Sequence, residues 1–314
     1  MPKISELRTG VSLAVATLVL LAGVGIASAQ TALPKSGLAI SPPTFELSAN
    51  PGDKLTNSLR VDNITDQPLE VTVDTRNFTA LGEEGGINLS AEEGEFSLAS
   101  WIAVTPAKVT IAARESQVFE FATSIPENAS PGGRFGSIIF KTTLKPVSGQ
   151  SGVAVGQEVG ALVFLKIAGQ VSEKASITSF GAKSGLNERG PVDFDIRVKN
   201  EGNVQFKPTG TITISDVFGR KVASIPVNQQ NVLPGAIRKM TAEWDNAWLF
   251  GKYTATLSLV YGNDKHVVTA STAFWGFPYK LAAIVVIVAA GAGVLIYPRR
   301  KRIGRAIKVL FGKE

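Results

Sequence analysis

Acid–base, nucleophilic and metal chemistry each need particular side chains in sufficient number, and this chain holds few of them. Its 314 residues include one histidine and no cysteine. That histidine, His266, sits in an apparent strand between Lys265 and Val267. A zinc site needs several Cys or His ligands, so no metal or cofactor is expected. A Ser–His–acid triad would have to use His266, and no Gly-x-Ser-x-Gly elbow occurs. Two carboxylate pairs, Glu83/Glu84 and Glu92/Glu93, fall in a Gly-rich acidic stretch. Glycoside hydrolysis needs two carboxyls at a defined separation with tuned pKa values, which an open loop does not provide. Phosphate-loop spacing is absent from the Gly-rich segments. The chain therefore reads as non-catalytic.

Binding chemistry leaves a few more candidates. Trp101 reads as a core residue at a strand start. Trp244, Trp248 and Phe250 lie close in sequence and are a candidate exposed aromatic patch. The alternative is that one Trp packs in a core and the other covers a sheet edge. Four Asn-x-Ser/Thr sequons begin at Asn63, Asn77, Asn88 and Asn128; the motif is short and the body rich in these residues, so they read as chance matches.

The elements that must position such residues are strands. Val192, Phe194, Ile196 and Val198 alternate with Asp193, Asp195, Arg197 and Lys199, the period of a half-buried strand. Tyr253 to Tyr261 and Leu69 to Val73 repeat the pattern. Ala161 to Ile167 is apolar on both faces, as in a central strand. Turn signals such as Asn50-Pro51-Gly52-Asp53 and Leu233-Pro234-Gly235 separate the runs. Glu83 to Glu95 reads as a loop. Many short strands with regular turns predict an all-β fold of β-sandwiches, and the length suits two. The expected break lies near Ser172-Glu173-Lys174, giving domains at 30–172 and 173–273.

Hydrophobic segments bracket this body. Val11 to Ile26 follows Lys3 and Arg8 and precedes Ala27-Ser28-Ala29, which predicts a signal peptide over 1–29 cleaved between Ala29 and Gln30. An uncleaved anchor is the alternative. Residues 280–297 form an apolar run of about 27 Å as a helix, close to the hydrocarbon thickness. Phe274, Trp275, Phe277 and Tyr279 flank one end, and a basic tail over 298–314 begins at Arg299-Arg300-Lys301-Arg302. These features predict a single transmembrane helix, a cytoplasmic tail and an extracellular body. Lys and Arg total 32 against 26 Asp and Glu. The excess positive charge falls at the C-terminal end and leaves the body close to neutral, which argues against nucleic acid as a partner.

The order of features in the first domain carries a resemblance. Asn50-Pro51-Gly52 leads into a strand at Leu55–Asp62, then come Asp66-Gln67-Pro68, Trp101-Ile102, Pro106, and the turn Pro126-Glu127-Asn128-Ala129-Ser130-Pro131-Gly132-Gly133. This order resembles the immunoglobulin-like, peptidoglycan-binding domain of the WxL-interacting protein family. The second sandwich, the span and the basic tail are similar in layout to the rest of that family. The proline–acid–Asn–Ala turn also resembles other bacterial sandwich domains, including those of pilus chaperones. The resemblance implies two immunoglobulin-like sandwiches on a membrane-anchored surface protein, with a cell-wall polymer or a surface protein as partner.

Three functions follow from this reading. The first is a cell-surface binding or scaffold protein. The second is a chaperone-like assembly factor that complements a client through an exposed sheet edge, although the sequence shows no basic pair for client docking. The third is an accessory subunit of a membrane complex.

Overall fold

The computed structural model describes residues 37–144 and 155–297. The expected signal segment, its Ala29–Gln30 cleavage point and the basic tail lie outside the described residues. Among those described, the fold is all-β apart from a 3-10 turn at Ala99–Trp101 and one terminal helix.

Ten strands make an N-terminal pair of sheets: β1 (Leu38–Ser41), β2 (Thr44–Ala49), β3 (Lys54–Asn63), β4 (Leu69–Leu81), β5 (Gly86–Ser90), β6 (Ile102–Thr105), β7 (Lys108–Ile111), β8 (Ser116–Ser124), β9 (Gly132–Leu144) and β10 (Val155–Ile167). One sheet runs β1-β3-β8-β6; the other runs β2-β10-β9-β4-β5, with β7 also on β4. Alternation makes the core. Leu59 and Val61 on β3, Phe119 and Phe121 on β8, and Val163 and Leu165 on β10 point inward and meet between the sheets. Each such side chain contributes about 1.5–3 kcal/mol by leaving water. The Ala161–Ile167 stretch is a central strand between β2 and β9, with Val163 and Leu165 in the core and Phe164 packed against Phe78 and Phe135 on the opposite face.

Eight further strands make the C-terminal pair: β11 (Ala175–Ala182), β12 (Leu186–Asn187), β13 (Val192–Asn200), β14 (Thr209–Ser215), β15 (Lys221–Val227), β16 (Ile237–Trp244), β17 (Gly251–Tyr261) and β18 (His266–Gly276). Their sheets run β11-β13-β16 and β12-β18-β17-β14-β15. Phe194, Ile196, Leu257, Leu259 and Phe274 fill the core between them. The β14–β15 turn shows how local chemistry sets a reversal. Asp216 accepts the Phe218 and Arg220 N–H groups, and Gly219 takes φ +77°, which favours glycine.

Two expectations are corrected here. The stretch 83–95, read as a loop, contains β5, because Ile87 packs onto the aromatic cluster of Phe78, Phe135 and Phe164. The second correction concerns the membrane span. A helix α1 does form at Tyr279–Ile296. It is 18 residues long. Lys280 in its first turn is tied to Glu188 at 2.7 Å. Among the described residues, no helix is long and apolar enough to cross a membrane. The transmembrane helix at 280–297, the membrane as a partner and the single-pass cell-membrane location are withdrawn.

The sheet pairs meet through specific bonds. The tip of the β4–β5 hairpin reaches β16, where the Lys239 N–H donates to the Glu83 carbonyl at 2.8 Å. The Glu83 carboxylate also pairs with Arg197 on β13 at 2.6 Å. Elsewhere the Gly133 N–H donates to the Asn203 carbonyl at 2.8 Å, and Glu46 pairs with Lys207.

Candidate functional site

The aromatic candidates separate on folding. Trp244 on β16 is buried, 5.3 Å from the Tyr253 ring and 6.1 Å from that of Phe274. Trp248 and Phe250 are 65% and 62% exposed, with rings 6.4 Å apart and nearly parallel at 5°. Trp101 is half-buried against the N-terminal core, with the Arg134 guanidinium 5.8 Å above its ring.

Folding also assembles a group that spacing does not reveal. Glu173, Asp264 and His266 bring one ligand atom each within 4.8 Å of one another. Glu173 is already engaged: Lys166 lies at 3.0 Å and the Asn263 N–H donates to it at 2.8 Å. Burial alone would raise its pKa, but these bonds outweigh burial and hold it below the usual carboxylate range. Lys166, on β10, is thereby committed to an internal ion pair.

The site with the clearest unmet bonding capacity is the edge of β10. Its inner side pairs with β9 along the whole strand, from Val155↔Leu144 to Ile167↔Gly132. Its outer side pairs in parallel with β2 only from Leu162↔Thr44 onward. The Leu162 N–H donates outward to the Pro43 carbonyl at 2.9 Å. Backbone groups alternate sides along a strand, so those of Gly156, Glu158 and Gly160 also face outward. Among the described residues no strand pairs with that half of the edge. Such a row of peptide groups is a template for another strand.

Of these residues only Glu158 carries a side chain, which falls on the outer face of the sheet, opposite the core. Glu158 lies 3.9 Å from both Arg76 and Lys141. Asp74 completes this network, 2.6 Å from Lys141 and 3.2 Å from Arg76. Next to it a groove of ≈ 360 Å³ runs along β10 between Ile139, Leu162 and the β5 side chains Ile87 and Leu89. The β4–β5 hairpin therefore arches over this face.

The network has a pH signature. The hydrogen bond from Lys141 holds the Asp74 carboxyl below its usual value, against the smaller effect of desolvation. A carboxyl depressed in the fold stabilises it above the unfolded value of about 3.9, and this contribution disappears as pH falls through the folded pKa. Asp74→Asn is thus expected to lower stability slightly at pH 7, since the pair is exposed. It should also make the decline between about pH 5 and pH 2 shallower. Urea titrations at a series of pH values check both.

No family model and no curated protein matches the chain. Solved structures similar to it include a chain of a chaperone–tip adhesin complex of CFA/I fimbriae biogenesis, at 14% identity and TM-score 0.42, covering 76% of this chain and 99% of that one. They also include the class 5 fimbriae chaperone CfaA, at 15% identity and TM-score 0.41, covering 75% and 99%. A third comes from the Salmonella enterica SafA pilin in complex with the SafB chaperone, at 11% identity and TM-score 0.40, covering 77% and 99%. None of these likenesses bears on what the chain does. They do lie elsewhere than the WxL-interacting proteins. The resemblance to that family, its peptidoglycan-binding role and the cell-wall polymer as a partner are withdrawn.

Proposed function

We propose that this chain is a non-catalytic, chaperone-like assembly factor that offers the open half of β10 to an extended segment of a surface protein subunit. The observation that carries this reading is that β2 begins only at Thr44, opposite Leu162. Pairing ends at Leu162, and Gly156, Glu158 and Gly160 keep their outward peptide groups for a partner. Strand addition of this kind draws affinity from main-chain hydrogen bonds and specificity from neighbouring pockets, and here a groove lies alongside. The reading takes the sheet pairs as two immunoglobulin-like sandwich domains divided near 172–173. Their separate cores support that division. It also keeps the export signal ending at Ala29–Gln30 as part of the proposal.

Proline at position 158 tests the reading. It removes one outward N–H and leaves the bonds to β9 in place, the situation in which an edge strand tolerates proline. In intact cells, a photocrosslinker at Gly156, where nothing stands within 4 Å of a Cβ, is expected to trap a discrete surface subunit. Glu158→Pro should abolish that product while shifting the thermal midpoint by only a few degrees. A crosslinked product that survives Glu158→Pro would reject strand addition at this edge.

A further inference from the structure

We infer that the client strand supplies a large apolar side chain to the groove beside Gly160, so that the contact securing the complex comes from the client and not from β10. This rests on the strand-addition reading above. Two of the three outward positions on β10, Gly156 and Gly160, have no side chain, and the third, Glu158, lies within the charged network. Nothing stands within 4 Å of a Cβ built at Gly156. This stretch of β10 therefore has no bulky outer-face residue to place into a partner.

What it has instead is a receiving surface. The groove next to Gly160 is walled by Ile139, Leu162, Ile87 and Leu89, and Leu89 is partly exposed. A strand continuing the line of β2 along β10 would carry its own alternate side chains onto this face, since neighbouring strands share the pleat. A leucine or phenylalanine there would cover the apolar wall; glycine would leave it wet. The occupant is a different protein and not a second copy of this chain. Two copies pairing edge to edge about the centre of the open stretch would set Glu158 against Glu158, a destabilising like-charge pair. They would also set Gly156 against Gly160, with nothing to fill either groove.

The test uses the full chain and fluorescein-labelled extended peptides of about seven residues, rich in Thr and Val and differing only at the central position. Leucine and phenylalanine peptides are expected to bind about 10- to 100-fold more tightly than the glycine peptide. Gly160→Leu fills the groove and should reduce this preference to less than about threefold. A Cβ at Gly160 comes within 3.3 Å of the Ile138 carbonyl, so Leu89→Lys on the opposite wall serves as the second variant, with the same expectation. Equal binding of the leucine and glycine peptides would overturn the inference and leave strand addition standing. Failure of every peptide to bind would remove strand addition as well. A dimer of the chain that dissociates on Glu158→Pro would identify a second copy as the occupant, and would also overturn the inference.

Discussion

Phe194→Ala is expected to destabilise the C-terminal sheet pair by about 3–5 kcal/mol. Phe194 is fully buried on the middle strand of its sheet. Its ring meets Phe274 edge to face at 5.6 Å and stacks on Phe180 at 6.0 Å. Alanine removes the ring and leaves a cavity bounded by both sheets, which relax only partly. The effect should be regional. Amide exchange is expected to rise in β13, β16 and β17 and to change much less in β3 and β8, whose side chains belong to the other core. Phe194→Leu should cost less than half as much. Equal acceleration throughout both sheet pairs would show that they unfold as one cooperative unit.

Asn63→Ala and Asn200→Ala are each expected to cost about 3 kcal/mol, although neither residue is hydrophobic. The two occupy matching places at the ends of β3 and β13, and both are almost completely buried, at 1% and 0% exposure. The Asn63 amide donates to the Gln67, Ile111 and Ala112 carbonyls, and its oxygen accepts the Thr65 N–H. Asn200 does the same with the Val204 and Val232 carbonyls and the Gly202 N–H. In both, one side chain closes the turn that follows its strand and ties it to a distant loop. Alanine strands several buried peptide groups, each worth about 1–3 kcal/mol if left unpaired. Aspartate keeps the accepting oxygen but cannot donate, so it should restore little. Denaturant unfolding of the four single variants measures this.

Alternation made the strands legible. The Val192–Val198 and Tyr253–Tyr261 runs became β13 and β17 because each faces a core on one side only. The paired asparagines were not legible as staples. Asn63 opens a sequon, and only the fold shows its amide to be buried and fully engaged. The edge of β10 was hidden for a different reason. Gly156 and Gly160 look like a continuation of the Gly/Ser-rich stretch before them, so the strand seemed to start at Ala161. Val159, two positions before Ala161, carries the inward alternation back and was the available signal. The span at the C-terminus is not borne out, since among the described residues no helix is long and apolar enough to cross a membrane.

The hairpin tip at Glu83 has a consequence for dissection of the molecule. One wall of the groove, Ile87 and Leu89, stands on β5, and the far end of that hairpin is bolted to Arg197 and Lys239. The groove's width is therefore set jointly by strands that pack on two different hydrophobic cores, much as a vice needs both its fixed and its sliding jaw. A fragment ending at Ile167 would retain every residue of the open edge and lose the brace that holds one jaw at its working distance.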